Sequence, residues 1–179
     1  MSAKVYSRAS DAKIAYTMPE ITLIAHNIRS AHNVGSIFRT AEGFGVSRII
    51  LSGYTPHPKL PNDPRLPHIA DKLTAQIDKT ALGAASLVPF EHRETLHLDA
   101  LHRAGYRIVA LEQAPHSISL RDYEAPTKLA LLLGEEVHGI TPELLAEVDD
   151  VIEIPMHGQK ESFNVSVATG IALYALTQA

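Results

Sequence analysis

Short runs rich in β-branched residues and leucine recur at 21–25, 48–52, 86–90, 106–111, 128–133 and 151–154, and each has the length and composition of a strand. Between them the apolar spacing changes. Val34, Ile37, Phe38, Ala41 and Phe44 follow the three-and-four rhythm that lays one apolar stripe along a helix, as do Leu98, Leu101 and His102. Strands alternating with helices predict an α/β fold, a parallel sheet flanked by helices on both faces. Residues 129–133 are apolar at every position, which suits a strand buried on both sides and places it at the middle of the sheet. Gly43, Phe44 and Gly45 read as a helix stop rather than a phosphate-binding turn, because they follow a helix instead of opening one. Segment 53–68 holds five prolines and is expected to be a long exposed loop, either functional or a tolerated surface insertion.

Composition narrows this picture. With 179 residues, 45% hydrophobic and 20% charged, the chain is expected to fold as one domain spanning 1–179, with 1–20 a possible N-terminal extension. It has no cysteine, so neither disulfides nor thiolate metal sites contribute, which suits a reducing cytoplasm. The first twenty residues mix charges and hydroxyls with isolated apolar positions, so a cytoplasmic location is expected. Ten histidines are present, but none has the His-Glu-x-x-His spacing, and no metal is expected. Residues 162–179 carry no charge; Asn164, Ser166, Thr169, Thr177 and Gln178 argue against a membrane span. A helix uncharged all round is expected to be buried on most sides, in the core or against a second copy, and a homodimer follows as an expectation.

The net charge of −4 disfavours a polyanionic partner, but its distribution is uneven. Residues 1–80 hold ten Lys/Arg against six Asp/Glu, and residues 81–179 hold six against fourteen. A nucleic acid would therefore meet the N-terminal half, although a solvated, mixed-charge surface accounts for the same counts.

Three segments carry candidate chemistry. The first follows a strand and opens a helix, with Arg29, Asn33, Gly35, Phe38 and Arg39 in order. Asn33 read alone fits a helix N-cap, and Arg39 a solvated charge or a five-donor fork for phosphate and ribose oxygens. The second runs from the strand at 128–133 into Gly134, Glu135, Glu136, Val137, His138 and Gly139, a loop at a strand's carboxyl end where ligands of parallel sheets bind. Thr141 and Pro142 then supply an N-cap and a first-turn proline. In the third, Ile154, Pro155 and Met156 lead through a glycine-containing loop to Ser162, Phe163, Asn164, Val165 and Ser166. Ser162 and Asn164 individually suit helix capping.

Taken together and in this order, the segments resemble the three signature motifs of the SpoU (TrmH-like) family of SPOUT-class RNA 2′-O-ribose methyltransferases. Phe163 stands where that pattern has leucine, and Lys79 to Ala84 is similar to the family's middle segment. The resemblance implies a deep C-terminal trefoil knot, a homodimer, S-adenosyl-L-methionine as cofactor, and tRNA or rRNA as substrate. It implies catalytic roles for Asn33, Arg39, Glu136, Ser162 and Asn164, and cofactor contacts from Leu111, Glu112, Gly134, Glu136, Ile154, Met156, Asn164 and Ser166. RNA would be met by Arg29 and Arg39, and by Lys59 and Arg65 on the proline-rich loop, which with residues 1–20 would help choose the target. Since arginine does not lose its proton in proteins, Arg39 would either stabilise a developing alkoxide or orient the ribose and phosphate while another group accepts the proton, with Glu136 as its hydrogen-bonding partner. Other readings are a base-methylating knotted enzyme, a non-catalytic RNA-binding protein that kept the knot, and a nicotinamide-dependent oxidoreductase. The last lacks a glycine fingerprint between strand and helix.

Overall fold

The computed structural model describes residues 18–178, so most of the N-terminal extension, and its expected role in choosing RNA, lies outside the described residues. The elements are β1 (Glu20–His26), α1 (Ala31–Gly43), β2 (Arg48–Ser52), α2 (Pro67–Ala81), a 3₁₀ turn (Ala84–Ser86), β3 (Phe90–Arg93), α3 (Asp99–Arg103), β4 (Arg107–Leu111), β5 (Ile118–Ser119), β6 (Lys128–Leu133), α4 (Pro142–Leu145), β7 (Asp150–Glu153) and α5 (Val165–Leu176). All strands pair in parallel in the order β3-β2-β1-β6-β4-β7-β5, with β6, apolar from Leu129 to Leu133, in the middle.

Alternation along each strand sorts the core into two layers. Leu23, Ala25, Ile49, Leu51, Leu131 and Leu133 face Val34, Ile37 and Phe38 of α1, Ile77 of α2 and Leu173 of α5. Ile24, Ile50, Ile108, Ala110, Ala130 and Leu132 face Leu98 and Leu101 at α3, with Leu144 of α4 packed alongside. Gly35 allows the approach of α1 to α2: a Cβ there would lie 2.1 Å from Thr80 Oγ1 and 2.2 Å from the Ile77 carbonyl oxygen. The Thr80 hydroxyl donates to the His32 carbonyl at 2.8 Å, so the first turn of α1 and the Lys79–Ala84 segment form two halves of one contact.

Several expectations need correction. Residues 86–90 do not form a strand; Leu87 and Val88 close the 3₁₀ turn with N–H bonds to Ala84, and the edge strand starts at Phe90. Helix α2 escaped the apolar pattern because its buried stripe is only Ala70, Ile77 and Ala81. The N-cap of α1 is Ser30, whose Oγ accepts the Asn33 N–H at 3.3 Å, leaving the Asn33 side chain for other partners. Phe44 and left-handed Gly45 do end α1, and Thr141 does cap α4. Helix α5 buries one face (Thr169, Ala172, Leu173, Leu176) but leaves Val167, Ile171 and Tyr174 exposed, in line with exposed Phe163 before its cap.

Candidate active site

The carboxyl ends of β1, β6 and β7 converge through loops that exchange side-chain hydrogen bonds. After β6, Glu136 reaches across to the loop between β1 and α1. Its carboxylate accepts the N–H groups of Arg29 (2.9 Å) and Ser30 (3.3 Å) and the side-chain amide of Asn33 (2.8 Å). Asn33 in turn accepts from the Asn164 amide at 3.1 Å, and Asn164 Oδ1 accepts the N–H (3.0 Å) and hydroxyl (2.7 Å) of Ser166. Asn164 thereby caps α5 while joining the third motif to the first. Burial acts to raise the Glu136 pKa, but the donors from Arg29, Asn33 and Ser30 outweigh it and the group lies below its ordinary value.

Next to this chain lies a cavity of about 320 Å³ at the ends of β4, β6 and β7. Apolar walls come from Leu111, Leu133, Ile154, Phe163, Val165 and Ala168, and the polar rim from the loop 134–139, Glu112, Gln113, Glu161 and Ser162. Glu112 ties two of these loops together, accepting the N–H of Gln113 (2.9 Å) and of Ile140 (2.9 Å). Glu135 is buried; desolvation works to raise its pKa but is outweighed by His138, whose backbone N–H (2.8 Å) and Nδ1 (2.6 Å) contact the carboxylate, so the net shift is downward. The size suits a small cofactor, the apolar walls an aromatic ring, and the surrounding carboxylates a cationic group. S-adenosyl-L-methionine has these features, so the residues present fit it.

The predicted residues divide between those brought together and those kept apart. Leu111, Glu112, Gly134, Glu136, Ile154 and Ser162 line the cavity; Asn164 and Ser166 stand beside it at the start of α5, and Met156 is not on its wall. Arg39 is exposed on α1, and no ion pair or hydrogen bond links it to Glu136 among the described residues, because that carboxylate is taken by Arg29, Ser30 and Asn33. Lys59 and Arg65 are engaged within the protein: Lys59 Nζ lies 2.8 Å from Asp71, and Arg65 makes a two-point contact with Asp63 (2.8 and 2.5 Å) while donating to the carbonyls of His57 and Pro58. Thr55 and His57 of the same loop are buried, so it is an anchored segment rather than a free surface arm. Gln113 and His138 were not expected at the site. The Gln113 amide donates to the Glu161 carbonyl at 2.6 Å and pins the loop that bears Ser162, a long-range pairing with no local sequence signal.

Comparison with known proteins matches this geometry. Residues 20–174 match the SpoU rRNA Methylase family. The tRNA (guanosine(18)-2'-O)-methyltransferase of Aquifex aeolicus is 32% identical over 87% of this chain and 67% of its own length. The 23S rRNA (guanosine-2'-O-)-methyltransferase of Coxiella burnetii is 31% identical over 87% of this chain and 57% of its own length. The AdoMet-bound rRNA methyltransferase of Sinorhizobium meliloti superposes with a TM-score of 0.75 at 27% identity, covering 90% of this chain and 57% of that one. The chain thus spans between about half and two thirds of the length of these relatives. With residues 20–174 matching the family model and its three motifs joined at one set of loops, the chain belongs to the SpoU methylase family.

Proposed function

We propose that this protein, as a single methyltransferase domain spanning 1–179, transfers a methyl group from S-adenosyl-L-methionine to a ribose 2′-hydroxyl of tRNA or rRNA, and does so in the cytoplasm. The observation that carries the reading is the chain Glu136–Asn33–Asn164–Ser166 at the lip of the cavity, which couples the three motifs in one network. The names of the relatives, which specify guanosine 2′-O-methylation of tRNA or rRNA, support ribose over base as the acceptor.

Bound in the cavity, S-adenosyl-L-methionine supplies a methyl group made electrophilic by its sulfonium. Leu111, Leu133 and Ile154 would hold its apolar portion, with Glu112 and the loop 134–139 meeting its polar groups. Asn33 and Asn164, whose amides are already oriented by Glu136 and Ser166, would position the ribose, and Ser162 faces the same space from the cavity wall. Preset donors cost no reorganisation as charge develops on the attacking oxygen. Arg39 emerges from α1 beside α5, where the neighbouring Thr40 methyl approaches Gly170, so its exposed side chain is available to the substrate phosphate or to the forming alkoxide. Arg29, also exposed, would make a second RNA contact. The stripe Phe163, Val167, Ile171 and Tyr174 would be covered by a second copy of the chain, giving a homodimer with Arg39 near the interface.

The test is methyl transfer from labelled S-adenosyl-L-methionine to unmodified tRNA and, separately, rRNA, followed by nuclease digestion and mass spectrometry. Ribose-methylated nucleosides are expected. Base-methylated products, or no product with either RNA despite cofactor binding, would overturn the proposal.

A further inference from the structure

Tyr54 follows the buried end of β2 and precedes buried Thr55, yet the residue itself is 60% exposed. The backbone beneath it is held firmly. Its N–H donates to Asn27 Oδ1 at 3.3 Å, while the Thr55 hydroxyl accepts the Ile28 N–H at 3.0 Å and lies 2.9 Å from the Ala25 carbonyl and 2.8 Å from that of Ser52. Gly53 (φ 65°) and Asn27 (φ 58°) are both left-handed, and a Cβ on Gly53 would lie only 1.9 Å from Asn27 Oδ1. The two strand ends interlock, with the aromatic ring turned out to solvent.

The ring's surroundings are those of the candidate site. Asn27 stands two residues before Arg29, whose N–H binds Glu136 and whose 63% exposed side chain reaches within 3.7 Å of Glu135. A rigidly mounted phenol and a guanidinium thus share the rim from which Glu136 leads to Asn33 and Asn164. Flat aromatic and guanidinium groups stack on unpaired bases, a contact that RNA-binding proteins use repeatedly. An exposed aromatic on a fixed backbone loses little freedom when a base settles on it.

We propose that Tyr54 is the stacking platform for an unpaired nucleobase of the substrate RNA, with Arg29 beside it, the ribose of that segment lying toward Asn33 and Asn164. This rests on the RNA methyltransferase reading above. It also accounts for an RNA-binding surface at the strand ends once Lys59 and Arg65 are engaged elsewhere.

The chain contains no tryptophan, so Tyr54→Trp installs a single reporter in the full-length protein. Its fluorescence should be quenched saturably by tRNA or rRNA and not by inorganic polyphosphate, which carries the charge without the bases. Tyr54→Ala should weaken RNA binding on the order of ten- to a hundredfold, and Tyr54→Phe should keep it, because stacking needs the ring and not the hydroxyl. All three variants should retain cofactor affinity and melting temperature. The proposal is overturned if the Trp variant binds RNA without quenching, if polyphosphate quenches equally, or if a folded Tyr54→Ala protein keeps wild-type RNA affinity. A wild-type protein that binds neither RNA removes the methyltransferase reading and the stacking proposal with it, whereas wild-type methylation with an unquenched reporter removes the stacking proposal alone.

Discussion

Replacing Glu136 by glutamine changes one atom at the crossing of two motifs. Three donors converge on the carboxylate: the N–H groups of Arg29 and Ser30 and the Asn33 amide. Glutamine keeps the shape but has one acceptor oxygen. If that oxygen stays toward Ser30 and Asn33, the new NH₂ confronts the Arg29 N–H; if it turns, the other two donors are left unpaired. Losing one hydrogen bond to a charged group costs roughly 1.5–3 kcal/mol. For a chain of this size the melting temperature should fall by roughly 3–12 °C at pH 7. The pH dependence provides a second check. The folded-state pKa of Glu136 is depressed, so its contribution is fully present above the unfolded value of about 4.3 and is lost as pH falls through the lower folded value. The gap between wild type and variant should therefore be complete at neutral pH and close below about pH 4 as the wild-type carboxyl protonates. Circular-dichroism melts across that range give both numbers, and a double-mutant cycle with Asn33→Ala should show a coupling of roughly 0.5–3 kcal/mol. Equal melting temperatures at pH 7, or additive single mutants, would refute the idea that Glu136 holds the first motif in place.

Arg39→Lys should leave folding and cofactor affinity intact but lower single-turnover methyl transfer by about a hundredfold or more, because an ammonium cannot reproduce a planar fork; a near-normal rate would return Arg39 to the status of a surface charge. Ile171→Glu places a charge in the exposed stripe of α5 and should convert a dimer to a monomer by light scattering; a wild-type protein that is already monomeric and active at micromolar concentration would remove the dimer. Arg65→Ala should destabilise the protein by about 1–3 kcal/mol, because Asp63 and the carbonyls of His57 and Pro58 lose their donor, while RNA affinity of the folded protein stays near wild type; selective loss of RNA binding at unchanged stability would restore Arg65 to the RNA surface.

The sequence by itself determined whatever depends on local periodicity and short-range sterics. The uniform hydrophobicity of 129–133 placed β6 at the centre of the sheet, the spacing from Val34 to Phe44 marked α1, and Gly45 marked its end. The ordered motifs determined the family, and with it the strand ends at which the cavity lies. Signals failed where burial was thin or the element short: α2 hides only three small or medium side chains, and the two-residue β5 has no period to read. Tertiary structure alone decided partners, because a charged side chain carries no mark in sequence of which opposite charge or N–H will reach it. Arg65 found Asp63, Glu136 found the loop before α1 instead of Arg39, and Gln113 found Glu161 across 48 positions. Loops far apart in the chain meet only because parallel strands direct all their carboxyl ends to the same edge of the sheet, and there the long-range hydrogen bonds assign each polar group its role.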